Sequence, residues 1–153
     1  LDNVRSLHNV GSVFRTSDAF RINEIYLCGI TATPDNSLTE IHKTALGAED
    51  SVKWEYYSNT IDVVEKLKME GYTIVSVEQV EQSIKLDEFK ADSSKHYALI
   101  LGNEVKGVQQ EVVDISDISL EIPQYGTKHS LNVSVSAGIV LWEFAKQLKN
   151  MLD

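Results

Sequence analysis

The chain has 153 residues, of which 42% are hydrophobic and 24% charged, and its formal net charge is −9. This balance is typical of a globular protein and excludes a largely disordered chain. The acidic excess argues against a nucleic-acid-binding surface that covers the whole protein. A single cysteine, Cys28, excludes an internal disulfide and a cysteine-rich metal site.

The length suits one domain with a substantial hydrophobic core, and we find no linker, repeat or low-complexity segment. We therefore expect a single domain over residues 1–153. We find no secretory signal and no apolar run long enough to span a bilayer. We accordingly expect a reducing, cytoplasmic location.

Hydrophobic periodicity and turn residues predict helices and strands that alternate along the chain. We predict, in chain order, a helix over 10–20, a strand over 24–28, a loop over 33–37 and a short helix over 39–46. A strand over 52–57, a helix over 59–70 and a strand over 72–77 follow, and 78–94 is polar and irregular. The last predicted elements are strands over 97–101 and 118–122 and a long helix over 131–152. This alternation predicts an α/β fold, in which helices cover both faces of a mostly parallel sheet.

The first predicted helix has one apolar face. Val10, Val13, Phe14 and Phe20 fall on one arc at helical spacing, whereas Arg15 lies roughly opposite them. Arg15 is therefore not needed for packing and should be exposed. Cys28, which lies in a strand, is expected in the core.

The positive charge is unevenly distributed. Arg5, Arg15 and Arg21 are the only arginines, and all lie in the first 21 residues, whereas lysines are spread over the remainder. Arginine is well suited to bidentate contact with phosphate. The cluster is compatible with a phosphate-binding segment or with an ordinary solvated helix face.

Three segments that follow predicted strands are rich in glycine and small polar residues, and they span 102–107, 122–126 and 130–134. Ligands of open parallel sheets bind beyond the carboxyl ends of the strands, and glycine allows the backbone to approach a ligand closely. No phosphate-loop, dinucleotide-binding or serine-hydrolase motif is present. The four histidines show no paired ligand spacing, so we expect no metal site; they are His8, His42, His96 and His129.

Each candidate in these segments also has a purely structural interpretation. Gly102 and Gly107 are compatible with ordinary turns, and Glu104 with a solvated carboxylate. Helix capping would account for the small polar side chains, namely Asn9, Ser130 and Asn132. Tyr125 is either an exposed loop aromatic or a platform on which a base could stack.

Taken together, the segments resemble the SpoU (TrmH-like) branch of the SPOUT RNA methyltransferases over almost the whole chain. The matching motifs are Asn9-Val-Gly-Ser-Val-Phe-Arg15-Thr-Ser-Asp-Ala-Phe20, Leu99-Ile-Leu-Gly102-Asn103-Glu104-Val-Lys-Gly107 and Ile122-Pro123-Gln-Tyr-Gly126-Thr-Lys-His-Ser130-Leu131-Asn132-Val-Ser134-Val. The stretch over 41–49 also looks like a small subgroup of the family that lacks an N-terminal RNA-binding extension. We therefore expect no such extension in this chain.

The resemblance implies a fold and a cofactor that periodicity cannot indicate. SPOUT domains thread their C-terminal part into a deep trefoil knot, which is otherwise almost absent from proteins. The knotted site, about 97–150 here, binds S-adenosylmethionine. The positions that correspond to its cofactor contacts are Gly102, Ile122 and Leu131, with Val77 and Glu78 as a further wall. Members are usually homodimers that pack the first and last helices across a two-fold axis and share the active site.

The resemblance also implies roles in methyl transfer to a ribose 2′-hydroxyl. Arg15 matches the proposed catalytic arginine of the family. Free arginine is always protonated, so we favour a role in which Arg15 grips phosphate and stabilises developing alkoxide charge. Asn9 would position Arg15 or the ribose, and Glu104, Ser130 and Asn132 would orient the substrate and the cofactor.

Three positions depart from the family pattern without removing a proposed catalytic group. Arg21 stands where glycine is common, Gln124 replaces a usual methionine, and His129 lies at a variable position. Together with Arg5 and Arg15, Arg21 is expected to contact RNA.

The leading interpretation is therefore an S-adenosylmethionine-dependent RNA ribose 2′-O-methyltransferase acting on tRNA or rRNA. One alternative is a knotted module that binds RNA or cofactor with little turnover. Another is a SPOUT enzyme that methylates a base nitrogen. The motif Ser130-Leu131-Asn132 together with Asn9 and Arg15 favours the ribose branch.

Overall fold

The computed structural model describes residues 1–128 and 130–149. Six helices and six strands are defined in these ranges. The helices are α1 (Leu7–Ala19), α2 (Pro34–Ala45), α3 (Ala48–Ser51), α4 (Thr60–Met69), α5 (Gln110–Ile115) and α6 (Val133–Leu148). The strands are β1 (Ile25–Cys28), β2 (Trp54–Tyr57), β3 (Tyr72–Val77), β4 (Ile84–Lys85), β5 (His96–Ile100) and β6 (Ile118–Glu121).

Every strand pair in the described residues is parallel. One sheet has the order β1-β2 and the other the order β4-β6-β3-β5. The first residues of the chain lie between the two sheets, because the Asp2 amide donates to the Leu101 carbonyl at 2.8 Å and the Asn3 amide donates to the Cys28 carbonyl at 3.2 Å. The predicted parallel α/β architecture is confirmed. Residues 1–3 link the end of β5 to the end of β1 by these backbone hydrogen bonds.

Helices cover both faces of the larger sheet, as predicted. Successive residues of β3 point to opposite faces, since side chains alternate along a strand. Ile74 packs in a core cluster with Leu67 of α4 and Val112 of α5, whereas Val75 packs in another cluster with Phe144 of α6. The carboxyl ends of the strands therefore remain open at the edge of a three-layer structure.

Helix α1 buries Val10, Val13 and Phe14 in a third core cluster, and Arg15 is exposed. Cys28 is 2% exposed and lies in the core. These predictions are confirmed, except that Phe20 is the C-cap of α1 and is only partly buried. In the described part of the chain, no helix is long and apolar enough to cross a membrane.

Several predicted boundaries are wrong for identifiable reasons. The segment over 33–37 is not a loop throughout, because Pro34 begins α2 and the Thr33 amide donates to the Asn36 side chain at 3.1 Å, but the backbone at Ser37 is non-helical and kinks this helix. Helix α1 begins three residues earlier than predicted, because Ser6 rather than Asn9 is its N-cap. Helices α3 and α5 escaped prediction because four and six residues are too few to display a helical period. The predicted end of the last helix falls partly in 150–152, outside the described residues.

The end of α1 places Arg21 in a left-handed backbone conformation, with φ at 54°. Its amide donates to the Asp18 carbonyl, and the amide of Ile22 donates to the Ser17 carbonyl at 2.9 Å. This pair of bonds is the Schellman arrangement, whose left-handed residue is usually glycine. The left-handed backbone at this position explains why glycine is common there in the family that the chain resembles, and why Arg21 departs from that pattern.

Asp2 is a fully buried carboxylate to which the sequence analysis gave no role. It accepts hydrogen bonds from the Thr60 hydroxyl at 2.6 Å and from the Gln109 amide at 2.8 Å and side chain at 2.7 Å. These donors lie at the starts of α4 and α5. Asp2 therefore joins the chain start to both helices that cover one face of the larger sheet.

Candidate active site

A cavity of about 230 Å³ opens beyond the carboxyl ends of β3, β5 and β6 and the start of α6. Its walls combine backbone, apolar side chains and a few polar groups. All five residues that were predicted to bind the cofactor line it: Val77, Glu78, Gly102, Ile122 and Leu131. The parallel sheet thus brings together residues that are as much as 54 positions apart in the sequence.

The loop over 102–107 folds tightly on itself at one side of this cavity. Asn103 and Gly107 exchange backbone hydrogen bonds at 3.0 and 2.9 Å. A Cβ on Gly102 would lie only 2.2 Å from the backbone of Gly107 and Val108. Gly102 is therefore required by close backbone approach, and its interpretation as a simple turn residue is wrong.

Asn103, which the sequence analysis left without a role, organises the same loop. Its side-chain oxygen accepts from the amides of Val105 and Lys106 at 2.9 and 3.0 Å, and its side-chain nitrogen donates to the Asn3 carbonyl at 2.8 Å. Glu78 supports the loop from below, because its carboxylate accepts from the Val108 amide at 2.9 Å. A side chain of a type that favours turns, directly after a glycine, was the available signal for Asn103.

The Glu104 carboxylate holds the start of α1. It accepts hydrogen bonds from the Arg5 and Ser6 amides, both at 2.9 Å, and from the Asn9 side chain at 3.1 Å. Burial by itself would raise the pKa of Glu104, but these hydrogen bonds outweigh burial and lower the pKa below its ordinary value. Glu104 is thus an ionised anchor between the cavity loop and α1, and it is not merely a solvated carboxylate.

Asn9 and Asn132 extend this connection to α6. The Asn132 side-chain nitrogen donates to the Asn9 side-chain oxygen at 3.3 Å. Asn132 also caps α6, since its side-chain oxygen accepts from the Ser134 and Val135 amides at 2.9 and 3.3 Å. The structural interpretation is therefore correct for Asn132 and wrong for Asn9, and both side chains join the three sequence motifs in one hydrogen-bonded chain.

The remaining predicted residues are distributed differently. Ser130 lines the cavity, as does Gln124, whereas His129 lies outside the described residues. Arg15 is exposed and does not line the cavity; it lies six residues, roughly 9 Å of helix axis, beyond Asn9. Arg5 and Arg21 are exposed as well. Tyr125 is 92% exposed on the loop that leads to Ser130.

Among the residues that the structure describes, no group of three or more His, Cys, Asp or Glu side chains is placed to hold a metal ion. The cavity offers instead apolar walls, peptide groups at a loop that contains glycine, and carboxylates. Such a site suits an organic molecule that carries positive charge.

Comparison with known proteins assigns the family. A model of the SpoU rRNA methylase family matches residues 1–142. The chain belongs to this family. Its relatives include a tRNA (guanosine(18)-2′-O)-methyltransferase of Aquifex aeolicus, 34% identical over 95% of this chain and 67% of the relative. Another is a 23S rRNA (guanosine-2′-O-)-methyltransferase of Nitrosomonas europaea, 33% identical over 96% of this chain and 55% of the relative.

A solved structure of an rRNA methyltransferase has the same fold. The rRNA methyltransferase of Sinorhizobium meliloti with AdoMet bound matches with a TM-score of 0.87 and 30% identity, over 97% of this chain and 55% of that one. The predicted fold class is thereby confirmed, while the threading of the knot stays a prediction. The chain spans about two thirds of the length of the Aquifex relative and about half that of the other two.

Proposed function

We propose that this SpoU domain transfers a methyl group from S-adenosylmethionine to a ribose 2′-hydroxyl of tRNA or rRNA. The observation that carries the proposal is that Glu104 links the cavity at the strand ends to helix α1, which carries Arg15. The cavity at the strand ends contains every residue expected to hold the cofactor, and Glu104 and Asn9 connect it to the helix that carries Arg15. The named 2′-O-methyltransferases among the relatives support the reaction type.

The residues of the cavity fit S-adenosylmethionine. Gly102 allows peptide groups to approach a ligand where a side chain would collide with backbone. Ile122, Leu131 and Val77 offer apolar surface for a nucleoside and a methionine chain, and Glu78 supplies negative charge near a sulfonium. When bound, the cofactor supplies a methyl group that its sulfonium already activates.

The protein's own residues would then position the RNA and manage the hydroxyl proton. The Arg15 guanidinium would bind a phosphate and stabilise the negative charge that develops on the attacking oxygen. Asn9 and Asn132 hold α1 and α6 in register around the ribose. Ser130, at the cavity wall, orients the substrate. The site therefore acts by positioning and charge stabilisation, with a phosphate or another acceptor taking the proton.

We further propose that the active site is shared in a homodimer built on α6. Four apolar side chains at helical spacing are exposed along this helix and its N-terminal approach: Leu131, Val135, Ile139 and Trp142. The Trp142 ring lies 5.8 Å from that of Phe20, at the end of α1. A second copy that covers this face would bring its own α1 near the cavity, which accounts for an arginine that is exposed and does not line the cavity of its own chain.

The dimer is tested with Val135→Glu, because a carboxylate in the first turn of α6 is compatible with the helix dipole and leaves the fold intact. By light scattering we expect a dimer for the wild type and a monomer for the variant. In an assay with methyl-labelled cofactor and RNA, we expect the variant to show no transfer. Met69→Glu, at a side chain that is 90% exposed on α4, is the matched control and should remain dimeric. A wild-type monomer that is fully active would refute the shared site.

The reaction is tested by incubating the protein with methyl-labelled cofactor and total tRNA and rRNA. Both kinds of RNA occur in the cytoplasm, which is the location that we propose. Nuclease digestion and mass spectrometry should then detect a 2′-O-methyl nucleoside. Arg15→Ala should abolish transfer and leave cofactor binding nearly unchanged by calorimetry, and Lys95→Ala, an exposed lysine outside the site, should retain both. A methylated base would instead assign the chain to the nitrogen-methylating branch. Cofactor or RNA binding without transfer would assign it to the binding modules.

A further inference from the structure

A second concave surface, a groove of about 930 Å³, lies on the other side of the loop over 102–107. Asn103, Val105, Lys106 and Gly107 belong to both linings, so this loop is a shared wall between the groove and the cavity. The rest of the lining comes from Asn3, Arg5, Ile30 and residues 108–111 at the start of α5. Arg5 is the one groove residue that was expected from the sequence to contact RNA, and the groove as a whole has no role in the site described above.

The groove carries two of the chain's cations on well-supported backbone. The backbone amide of Arg5 donates to the Glu104 carboxylate, and the backbone amide of Lys106 donates to the Asn103 side chain. Both residues line the groove. Neither side chain is in an ion pair within the described residues, although one carboxylate, Glu111, also lines the groove. In a chain with a net charge of −9, two unpaired cations at one concave surface offer a local site for phosphate.

Apolar side chains occupy the same groove. Ile30 is 62% exposed and Val105 is 80% exposed, and both line the groove. Large aliphatic side chains exposed inside a concave surface indicate a site for a flat apolar ligand surface. A nucleotide combines such a surface, the face of its base, with the phosphate that the cations would bind.

We propose that this groove binds a nucleotide of the substrate RNA that flanks the methylated one. The inference rests on the proposed function, because the methylated ribose must reach the cavity on the other side of the shared wall. Arg5 and Lys106 would contact phosphate, and Ile30 and Val105 would pack against the base. The groove thus supplies local RNA affinity to an acidic domain.

The test measures binding of a fluorescein-labelled, mixed-sequence single-stranded RNA of about 12 nucleotides by anisotropy across a salt series. Arg5→Ala/Lys106→Ala should weaken binding about tenfold or more and reduce the slope of log K against log salt by about 1.4, since each phosphate contact on single strands contributes about 0.7. Lys90→Ala/Lys95→Ala removes the same charge from exposed positions outside the groove and should change affinity less than threefold.

The apolar part of the groove is tested separately with Val105→Ser. We expect weaker RNA binding with an unchanged salt slope, because an apolar contact releases no counterions. Met69→Ser is the matched control and should bind as the wild type does. Equal losses in the groove and control pairs, or no loss in either groove variant, would overturn the inference.

Cofactor calorimetry and methyl transfer, measured on the same preparations, separate this inference from the proposed function. If the wild type neither binds S-adenosylmethionine nor transfers methyl, the proposed function fails whatever the anisotropy shows. If it transfers methyl and the groove variants retain the wild-type affinity for RNA, the groove inference alone fails. Weaker RNA binding together with unchanged cofactor affinity supports both.

Discussion

Glu104→Gln is the substitution that best tests the anchor between the cavity loop and α1. The side-chain amide keeps one acceptor oxygen, which can still serve the Ser6 amide and the Asn9 side chain. Its NH₂ group then faces the Arg5 amide, so that one charge-assisted hydrogen bond is lost. Such a bond contributes about 1.5–3 kcal/mol. The Arg5 amide is exposed and can bind water instead, so we expect a loss of about 1 kcal/mol, or about 2–4 °C in Tm.

The stability difference between wild type and Glu104→Gln should also depend on pH, in a direction that the pKa of Glu104 determines. Because the pKa of Glu104 is lower in the folded protein than in the unfolded chain, its contribution to stability is complete above the unfolded value of about 4.3. It is lost as pH falls through the folded value. The stability difference between wild type and Glu104→Gln should therefore be full at neutral pH and shrink in acid.

Urea denaturation at pH 7 and at successive acidic pH values measures the difference. Glu65→Gln, an exposed glutamate on α4 outside this network, is the matched control and should be neutral within about 0.5 kcal/mol. If Glu104→Gln is as stable as the wild type at pH 7, or if the difference grows in acid, the carboxylate does not anchor α1.

Three further substitutions test backbone fit and buried charge. Gly102→Ala places a Cβ 2.2 Å from backbone atoms. It should lower the free energy of unfolding, measured in urea, by about 3 kcal/mol and abolish cofactor binding, measured by calorimetry. Gly138→Ala, whose Cβ would meet open space, is the control and should be neutral or stabilising. Arg21→Gly should be about 1 kcal/mol more stable than Arg21→Ala, because both remove the side chain but only glycine relieves the left-handed φ; equal thermal midpoints would contradict this account. Asp2→Ala should lower the free energy of unfolding by about 3 kcal/mol, since it strands buried donors on Thr60 and Gln109; a loss below about 1 kcal/mol would show that Asp2 is dispensable.

The longer elements could be predicted because their local signals agree. Strand β3 was predicted at its observed bounds from an apolar, β-branched run bounded by glycine. A cap at Ser58 or Asn59 was compatible with the sequence, and Asn59 caps α4. Where a local signal was weak or competed with another, prediction failed. Pro34 indicated a loop, although proline is equally at home in the first turn of a helix, where its missing N–H is not needed.

The candidate site was predictable in its membership but not in its contacts. Motif resemblance selected Glu104, Asn9 and Asn132, yet the sequence could not show that Glu104 receives two amides from the start of α1. Residues 98 or more positions apart form those bonds, and no local pattern encodes such a separation. Asp2 escaped notice for the same reason, because a carboxylate near the chain start has no local sign of burial.

The sequence by itself determined the parallel α/β class, the family motifs and the exposure of Arg15, because periodicity and side-chain type are local properties. Only the tertiary structure decided that the second and third motifs meet at one cavity, since parallel strands bring their carboxyl ends to one edge whatever their distance along the chain, and that Asn9 of the first motif is hydrogen-bonded to both. It also decided where positive charge collects in an acidic chain: the net charge of −9 is a sum over the whole surface, while Arg5 and Lys106 line one groove.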